Sequence, residues 1–304
     1  MLALLARLAL ALELTAYVGV GWLLHRQAGW HPVALVMAAV ACALGVRLLL
    51  VCFTCAMGGW VHRSPRCVAH ELGAAGTLAY VLGEYRALLE DNLVNLPWER
   101  LVVRADPPAR PSSRLPVILV HGYFSNRGFF RQLVPALEAE GIAPLFAPNF
   151  NVIFEDIEHF ATELHQEIER IATATGQPRV ILACHSMGGL AARRYVMEHG
   201  AARIERLVTI ATPHHGTAMA ALGLGANARQ MYQHSAFLQA LEASEGATPP
   251  SFPAISIYSP HDNLVAPQET SRLPWARNIA LPGLGHVAIL RSWALIAALR
   301  DELR

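Results

Sequence analysis

One segment restricts the possible folds more than any other: residues 179–196, RVILACHSMGGLAARRYV. Its first half is an unbroken apolar run of strand length, which reads as a strand buried on both faces. Its second half is helix-forming, and Ser186 stands where one gives way to the other. A chain that passes from strand to helix this abruptly makes a sharp turn and holds the tip residue out at the edge of the sheet. Small residues beside the tip let strand and helix approach each other. The start of the helix also points its positive end at the tip, which favours a developing anion.

The remainder of the chain supplies the sheet that such a turn requires. Apolar runs at 116–122, 143–148, 179–186, 206–213, 254–259 and 278–283 read as buried strands. Helical patterns fall between several of them, notably 156–175 and 187–199, with a last helix at about 286–302. Strands alternating with helices imply an α/β fold: a mostly parallel sheet with helices on both faces. Residues 214–252 interrupt the alternation with Gly, Ala and short helical pieces, too long for a plain loop, and read as a lid or cap insertion. Upstream, 68–92 reads as a Gly-interrupted helix that either lies on a membrane or packs on the next domain. Residues 98–106, WERLVVRAD, alternate like a strand, and 107–116 form a turn-rich connection.

Ser186 sits in a G-x-S-x-G-like setting with Cys184 at the first glycine. A serine hydroxyl is a poor nucleophile until a base takes its proton, and the base needs an acid to orient it. In this kind of sheet the chain order is Ser, acid, His. AISIYSPHDNLVAP places Asp262 just past a strand, and LPGLGHVAILRSW places His286 between a strand end and the final helix. Strand ends on one edge of a parallel sheet converge on one crevice, so Ser186, Asp262 and His286 are the candidate nucleophile, acid and base. His185 and His121 read as packing and loop-holding residues. HGYFSN, 121–126, follows an early strand, so the backbone N–H groups of Tyr123 and Met187 are the candidate oxyanion donors. Phe124, Phe129 and Phe130 either line an apolar acyl pocket or belong to the core of a helix starting near Asn126.

No metal or other cofactor is expected. His214 and His215 lack nearby acidic partners, and Cys52-x-x-Cys55 lies in an apolar segment without a second ligand pair. The five cysteines make no disulfide framework. All 24 basic residues are Arg, net charge is +1 and no basic cluster exists, so no nucleic-acid partner is expected.

The first 60 residues differ from the rest. They hold 44 hydrophobic residues and four charges, Arg7, Glu13, Arg26 and Arg47. A membrane span needs about 20 mostly apolar residues, and 3–24 and 33–57 both qualify, separated by HRQAGWHP with the breakers Gly29 and Pro32. A cleavable signal peptide fits poorly, because Glu13 interrupts the first run and no small-x-small site follows. The expectation is a two-helix transmembrane hairpin with Trp22, Trp30 and Trp60 near the interfaces. Folding it about 28–29 brings Glu13 and Arg47 to depths roughly 5 Å apart, so they either pair or snorkel separately. The N-terminal amine and Arg7 at the start of the first span, with Arg63 and Arg66 after the second, outweigh Arg26 in the loop, which places the main domain in the cytoplasm.

From about 114 to 304 the chain resembles the α/β-hydrolase superfamily, and specifically bacterial lipases and esterases. VHGYFSN resembles their oxyanion loop, and ACHSMGGLAARRY their elbow, with Arg193 where this group usually has an arginine. TIATPHHGT, 209–217, resembles their T-P-x-x-G-T stretch, and QHSAFLQAL, 233–241, a segment of their cap. Two departures are Cys184 for the usual small residue and the hairpin in place of a secretion signal. The resemblance implies hydrolysis of carboxylic esters through an acyl-enzyme. The chain accordingly divides into an anchor (1–60), a helical linker with a first strand (61–113) and an α/β-hydrolase domain (114–304). The expected protein is a lipase or esterase of the bacterial inner membrane, with the bilayer and lipid-like esters as its partners. Acyl transfer or thioester cleavage by the same triad, and a non-catalytic scaffold, are the rival readings.

Overall fold

The apolar runs form β1 (Val117–Val120), β2 (Leu145–Phe146), β3 (Val180–His185), β4 (Ile204–Ile210), β5 (Ala254–Tyr258) and β6 (Arg277–Ala280). In the computed structural model, which describes residues 1–65, 70–108, 110–246 and 250–303, they make one sheet in the order β2-β1-β3-β4-β5-β6. Every neighbouring pair is parallel. All residues of β1 and β3 are buried because both faces of the sheet are covered. Alternation still sorts them. Ile118, Val120, Val180, Leu182 and Cys184 face a layer built by α6 (Ile157–Thr175), α7 (Met187–His199) and α9 (Ala236–Glu245). Val117, Leu119, Ile181 and Ala183 face α5 (Leu133–Ala139) and α10 (Trp293–Glu302). Strand order reverses between β1 and β3, and a crevice opens beyond the carboxyl ends of strands at such a point.

The two apolar stretches form α1 (Leu2–Ala28) and α2 (Pro32–Ala56), each long and apolar enough to cross a membrane. Gly29, at φ 69°, ends the first, and His31 caps the second by accepting from the Val33 amide, with Pro32 at the first helical position. Glu13 and Arg47 do meet. The guanidinium donates to both carboxylate oxygens at 2.7 and 2.8 Å, and Tyr17 donates to the same carboxylate at 2.9 Å. The Arg7 guanidinium lies over the Trp98 ring, 5.6 Å from its centre, so the amino-terminal end of α1 reaches the hydrolase side.

Upstream of the sheet the structure differs from expectation. The helix expected over 68–92 is α3 (Ala74–Glu90), continued by a π-turn at Asp91–Asn95. It packs along α2, where the Tyr85 hydroxyl donates to the Leu44 carbonyl at 3.0 Å. Residues 98–106 form no strand. Glu99–Val102 is a single helical turn, α4, whose amides bond back to Trp98 and Glu99. A short alternating segment becomes a strand only where a sheet edge is available to pair it. This one instead packs against the 3₁₀ turn Arg127–Phe130. Arg66, Cys67 and the start of the 68–92 segment lie outside the described residues, as do 247–249 in the cap.

Candidate active site

β3 runs into α7 with Ser186 alone between them, at φ 55° and ψ −129°. That backbone is strained for a residue with a side chain, and it lifts the hydroxyl into the crevice. Two glycines let the turn close. A Cβ on Gly188 would lie 2.6 Å from the His121 carbonyl oxygen, and one on Gly122 would lie 2.7 Å from the Ser186 Cβ. Cys184 fits at the first small position because its side chain turns into the apolar layer under α6 and α7, where burial pushes the thiol pKa up.

The three residues expected to act together lie in one hydrogen-bonded chain. His286 Nε2 is 3.0 Å from Ser186 Oγ, and His286 Nδ1 is 2.9 Å from Asp262 Oδ2. Asp262 Oδ1 accepts from the amides of Leu264 and Val265 at 2.8 and 2.7 Å, which holds the carboxylate aimed at the imidazole. All three side chains are buried. Burial by itself disfavours the charged imidazole of His286. The Asp262 carboxylate, through its charge and its hydrogen bond, outweighs that, with a smaller contribution from Glu84, and the pKa is raised.

The loop after β1 is held as the sequence suggests. His121 Nε2 accepts from the Phe150 amide at 3.0 Å, which leaves the proton on Nδ1 to donate to the Gly122 carbonyl at 3.2 Å. Burial drops its pKa to about 4, so the ring is neutral. Ser125 Oγ accepts from the Gly122 amide. Among the described residues no hydrogen bond engages the amides of Tyr123 or Met187, which flank the serine from the two sides. The Tyr123 hydroxyl is occupied elsewhere: it donates to the Leu224 carbonyl at 2.8 Å and accepts from the Leu224 amide at 2.7 Å, latching the cap to the loop.

The phenylalanines separate. Phe124 packs with its ring tilted against Tyr123 and edge-on to Phe154 at 5.4 Å. Phe130 does not line a pocket. The 3₁₀ turn Arg127–Phe130 rotates it into the layer shared with α5 and α10, and Phe129 packs beside that layer and against His185. Phe154, which Phe124 touches, and Leu224, which Tyr123 holds, are both exposed, as is Leu222.

In the insertion between β4 and β5, a 3₁₀ turn (Ala218–Leu222) and α8 (Ala226–Gln230) precede α9, which packs against α7. Arg193, buried on α7, pins both ends of this insertion. It pairs with both Glu245 oxygens at 2.8 Å and donates to the His214 carbonyl at 2.8 Å. His214 is a buried neutral ring on Thr209. Among the described residues no group of three metal-ligating side chains forms.

Several supporting residues carried no sequence signal. Asn263 accepts from the His286 amide at 2.9 Å and donates to Thr54, at the end of α2, at 2.9 Å. Gln268 donates to both the Gly58 and Asp262 carbonyls at 2.8 Å. His185, read as packing, also makes a 3.1 Å hydrogen bond to the His286 carbonyl. The acid loop is therefore bonded directly to the carboxyl end of the second apolar helix. Only the neighbouring Asp could have drawn attention to Asn263, since Thr54 and Gly58, which hold Asn263 and Gln268, lie more than 200 residues away from them.

Comparisons with known proteins bear on the fold. The family model for the alpha/beta hydrolase fold matches residues 116–299. A triacylglycerol lipase of Pseudomonas fragi is 31% identical over 114 residues, an alignment that spans 36% of this chain and 38% of that enzyme. The solved structure of Bacillus licheniformis lipase BlEst2 in mature form superposes with a TM-score of 0.57 at 17% identity, over 66% of this chain and 96% of that one. Aspergillus fumigatus lipase B gives 0.57 at 21% identity, over 64% and 55%. The matching family model, the parallel sheet and the serine elbow together show that the chain belongs to the α/β-hydrolase fold family.

Proposed function

We propose that this protein is a membrane-anchored serine hydrolase of the lipase and esterase type, which cleaves lipid-like carboxylic esters through an acyl-enzyme. The observation that carries the reading is the buried Ser186–His286–Asp262 chain, at 3.0 and 2.9 Å, with the serine on a strained elbow. In the first half-reaction His286 takes the Ser186 proton as Oγ attacks the ester carbonyl. Asp262 stabilises the imidazolium, and the amides of Tyr123 and Met187 bind the developing oxyanion. His286 then protonates the leaving alcohol. In the second half, water loses a proton to His286 as its oxygen attacks the acyl carbonyl, and His286 returns a proton to Ser186 Oγ as the acyl–serine bond breaks and the acid leaves.

The apolar side chains of Phe124, Phe154, Leu222 and Leu224 suit an acyl chain. The two apolar helices, bonded to the acid loop through Thr54 and Gly58, would hold this crevice beside the bilayer where lipid esters concentrate. The similarity to a triacylglycerol lipase supports the same substrate class. In this reading the helices cross the inner membrane of a bacterium and the hydrolase domain faces the cytoplasm. Protease protection in inverted and right-side-out vesicles distinguishes the two faces.

The test of the chemistry is covalent labelling of membranes by a fluorophosphonate, wild type against Ser186→Ala. Labelling that vanishes in the variant supports an activated serine. A folded wild type that stays unlabelled, and inert to short-chain esters in detergent, overturns the reading.

A further inference from the structure

The steps above leave one carboxylate beside the base unused. Glu84, on α3, is 2% exposed. Its oxygens accept from the amide of Val287 at 3.1 and 3.2 Å and from that of Ala288 at 2.9 Å. On the other flank of His286, a Cβ built on Gly285 would collide with Oε2 and lie 2.6 Å from the carboxyl carbon. The carboxylate thus straddles the backbone on both sides of the base, and only glycine at 285 leaves it room.

The rest of α3 is fastened to the same turn. Arg291 pairs with Asp91 at 2.6 Å and Glu90 at 3.3 Å, and donates to the Ala87 carbonyl at 3.4 Å. On its other side α3 is bonded to α2 through Tyr85. A helix read as a linker is therefore the piece that joins the base to the anchor.

We propose that Glu84 is a positioning residue for His286. It fixes the 285–288 backbone that carries the imidazole, and its charge, added to that of Asp262, favours the imidazolium formed when Ser186 gives up its proton. This rests on the serine-hydrolase reading. Both oxygens face N–H donors, an arrangement made by the ionised carboxylate. Burial raises the Glu84 pKa, while the Ala288 and Val287 amides and the charge of His286 oppose that rise. The groups that face this pair are Asp262 on the acid loop, Cys55 at the end of α2 and Tyr80 one turn earlier on α3. The His185 ring lies tilted against His286, centres 4.9 Å apart, and Arg291 lies on the turn that follows it.

A purely structural carboxylate and a charge-supplying one predict different results. Gln at 84 keeps an acceptor for the amides and loses the charge. The experiment uses the full chain in detergent, measuring fluorophosphonate labelling rates and short-chain ester hydrolysis across pH for wild type, Glu84→Gln and Gly285→Ala. Losing a negative charge near His286 lowers its pKa, so the acid limb of kcat/KM moves to lower pH. The expected accompanying change is a fall in kcat of about three- to tenfold, corresponding to half to one pKa unit, with KM unchanged because Glu84 touches no substrate. Gly285→Ala retains Glu84 but evicts its carboxylate, and shows the same displacement. If Glu84→Gln does not fold, Gly285→Ala carries the test alone. A folded variant with the wild-type acid limb and kcat overturns the proposal. A wild type that does not label overturns the hydrolase reading and this one with it, whereas a labelling wild type with unchanged variants overturns this one alone.

Discussion

Gly122→Ala probes the join between the oxyanion loop and the nucleophile. The added methyl would lie 2.7 Å from the Ser186 Cβ, 3.0 Å from the His185 carbonyl oxygen and 3.2 Å from Ser186 Oγ. Carbon atoms in contact sit about 3.5–4.0 Å apart, so the loop must retreat from the elbow by roughly 0.8 Å or more. Ser186 cannot give way, because its amide is bonded to the Ile210 carbonyl at 2.8 Å and its carbonyl accepts from Thr212 at 2.9 Å. The Tyr123 amide moves back with the loop. Misplacing a reacting group by about 1 Å costs on the order of 100-fold in rate, or about 2.7 kcal/mol. Overpacking also costs about 1–3 kcal/mol of stability. The assay is the second-order rate of fluorophosphonate labelling in detergent, at a temperature well below each variant's melting midpoint. Gly83→Ala serves as control, since nothing lies within 4 Å of its added methyl. A folded Gly122→Ala that labels within about twofold of wild type would refute the argument that this glycine sets the oxyanion geometry.

Three further outcomes are expected. Glu13→Gln leaves Arg47 without its carboxylate among apolar surroundings, which costs about 2.5–3.5 kcal/mol on insertion scales. Thermal unfolding in detergent reads the loss, and Glu13→Gln with Arg47→Leu restores it; an unchanged single variant would show the pair to be dispensable. Arg193→Ala strands half-buried Glu245 and the His214 carbonyl, which costs about 1–3 kcal/mol and opens 214–246 to limited proteolysis; continued resistance would count against a role for Arg193 in pinning the cap. The third concerns pH. Because the His286 pKa is raised and the base must be neutral, labelling falls on the acid side with a midpoint above the ordinary histidine value of about 6.5. The stability owed to the His286–Asp262 pair has the opposite sense: it is full below the ordinary value and lost as pH rises through the raised one. A labelling midpoint below the ordinary value would contradict the geometry.

The parts of this protein that could be read directly from the chain are those whose information is local or periodic. Apolar runs of strand length located the strands to within a few residues, because a parallel strand buried on both faces leaves little room for polar residues. The serine elbow was legible because a strand ending and a helix beginning at one residue is itself a local pattern. Asp262 and His286 followed from the convergence of strand ends. Helix rise and a turn brought Glu13 and Arg47 to similar depths but left their pairing open, and the packing of α1 on α2 joins them. Where periodicity was short it misled. Residues 98–106 alternate, yet no sheet edge is offered to them and they turn as a helix against Arg127–Phe130. Phe130, at the end of the turn that Asn126 caps, goes to the core because of how that turn is rotated.

What the sequence by itself determined is the α/β layering, the serine elbow and the two apolar helices, since each follows from residue pattern over fewer than thirty positions. Only the tertiary structure decided that those helices brace the active site. Thr54 meets Asn263, Gly58 meets Gln268, and Glu84 meets the backbone beside His286, each across more than 200 residues. Such contacts leave no periodic trace. A buried carboxylate and a solvated one are the same letter in a sequence, and only the packing of α3 onto the turn after β6 makes Glu84 a neighbour of the base.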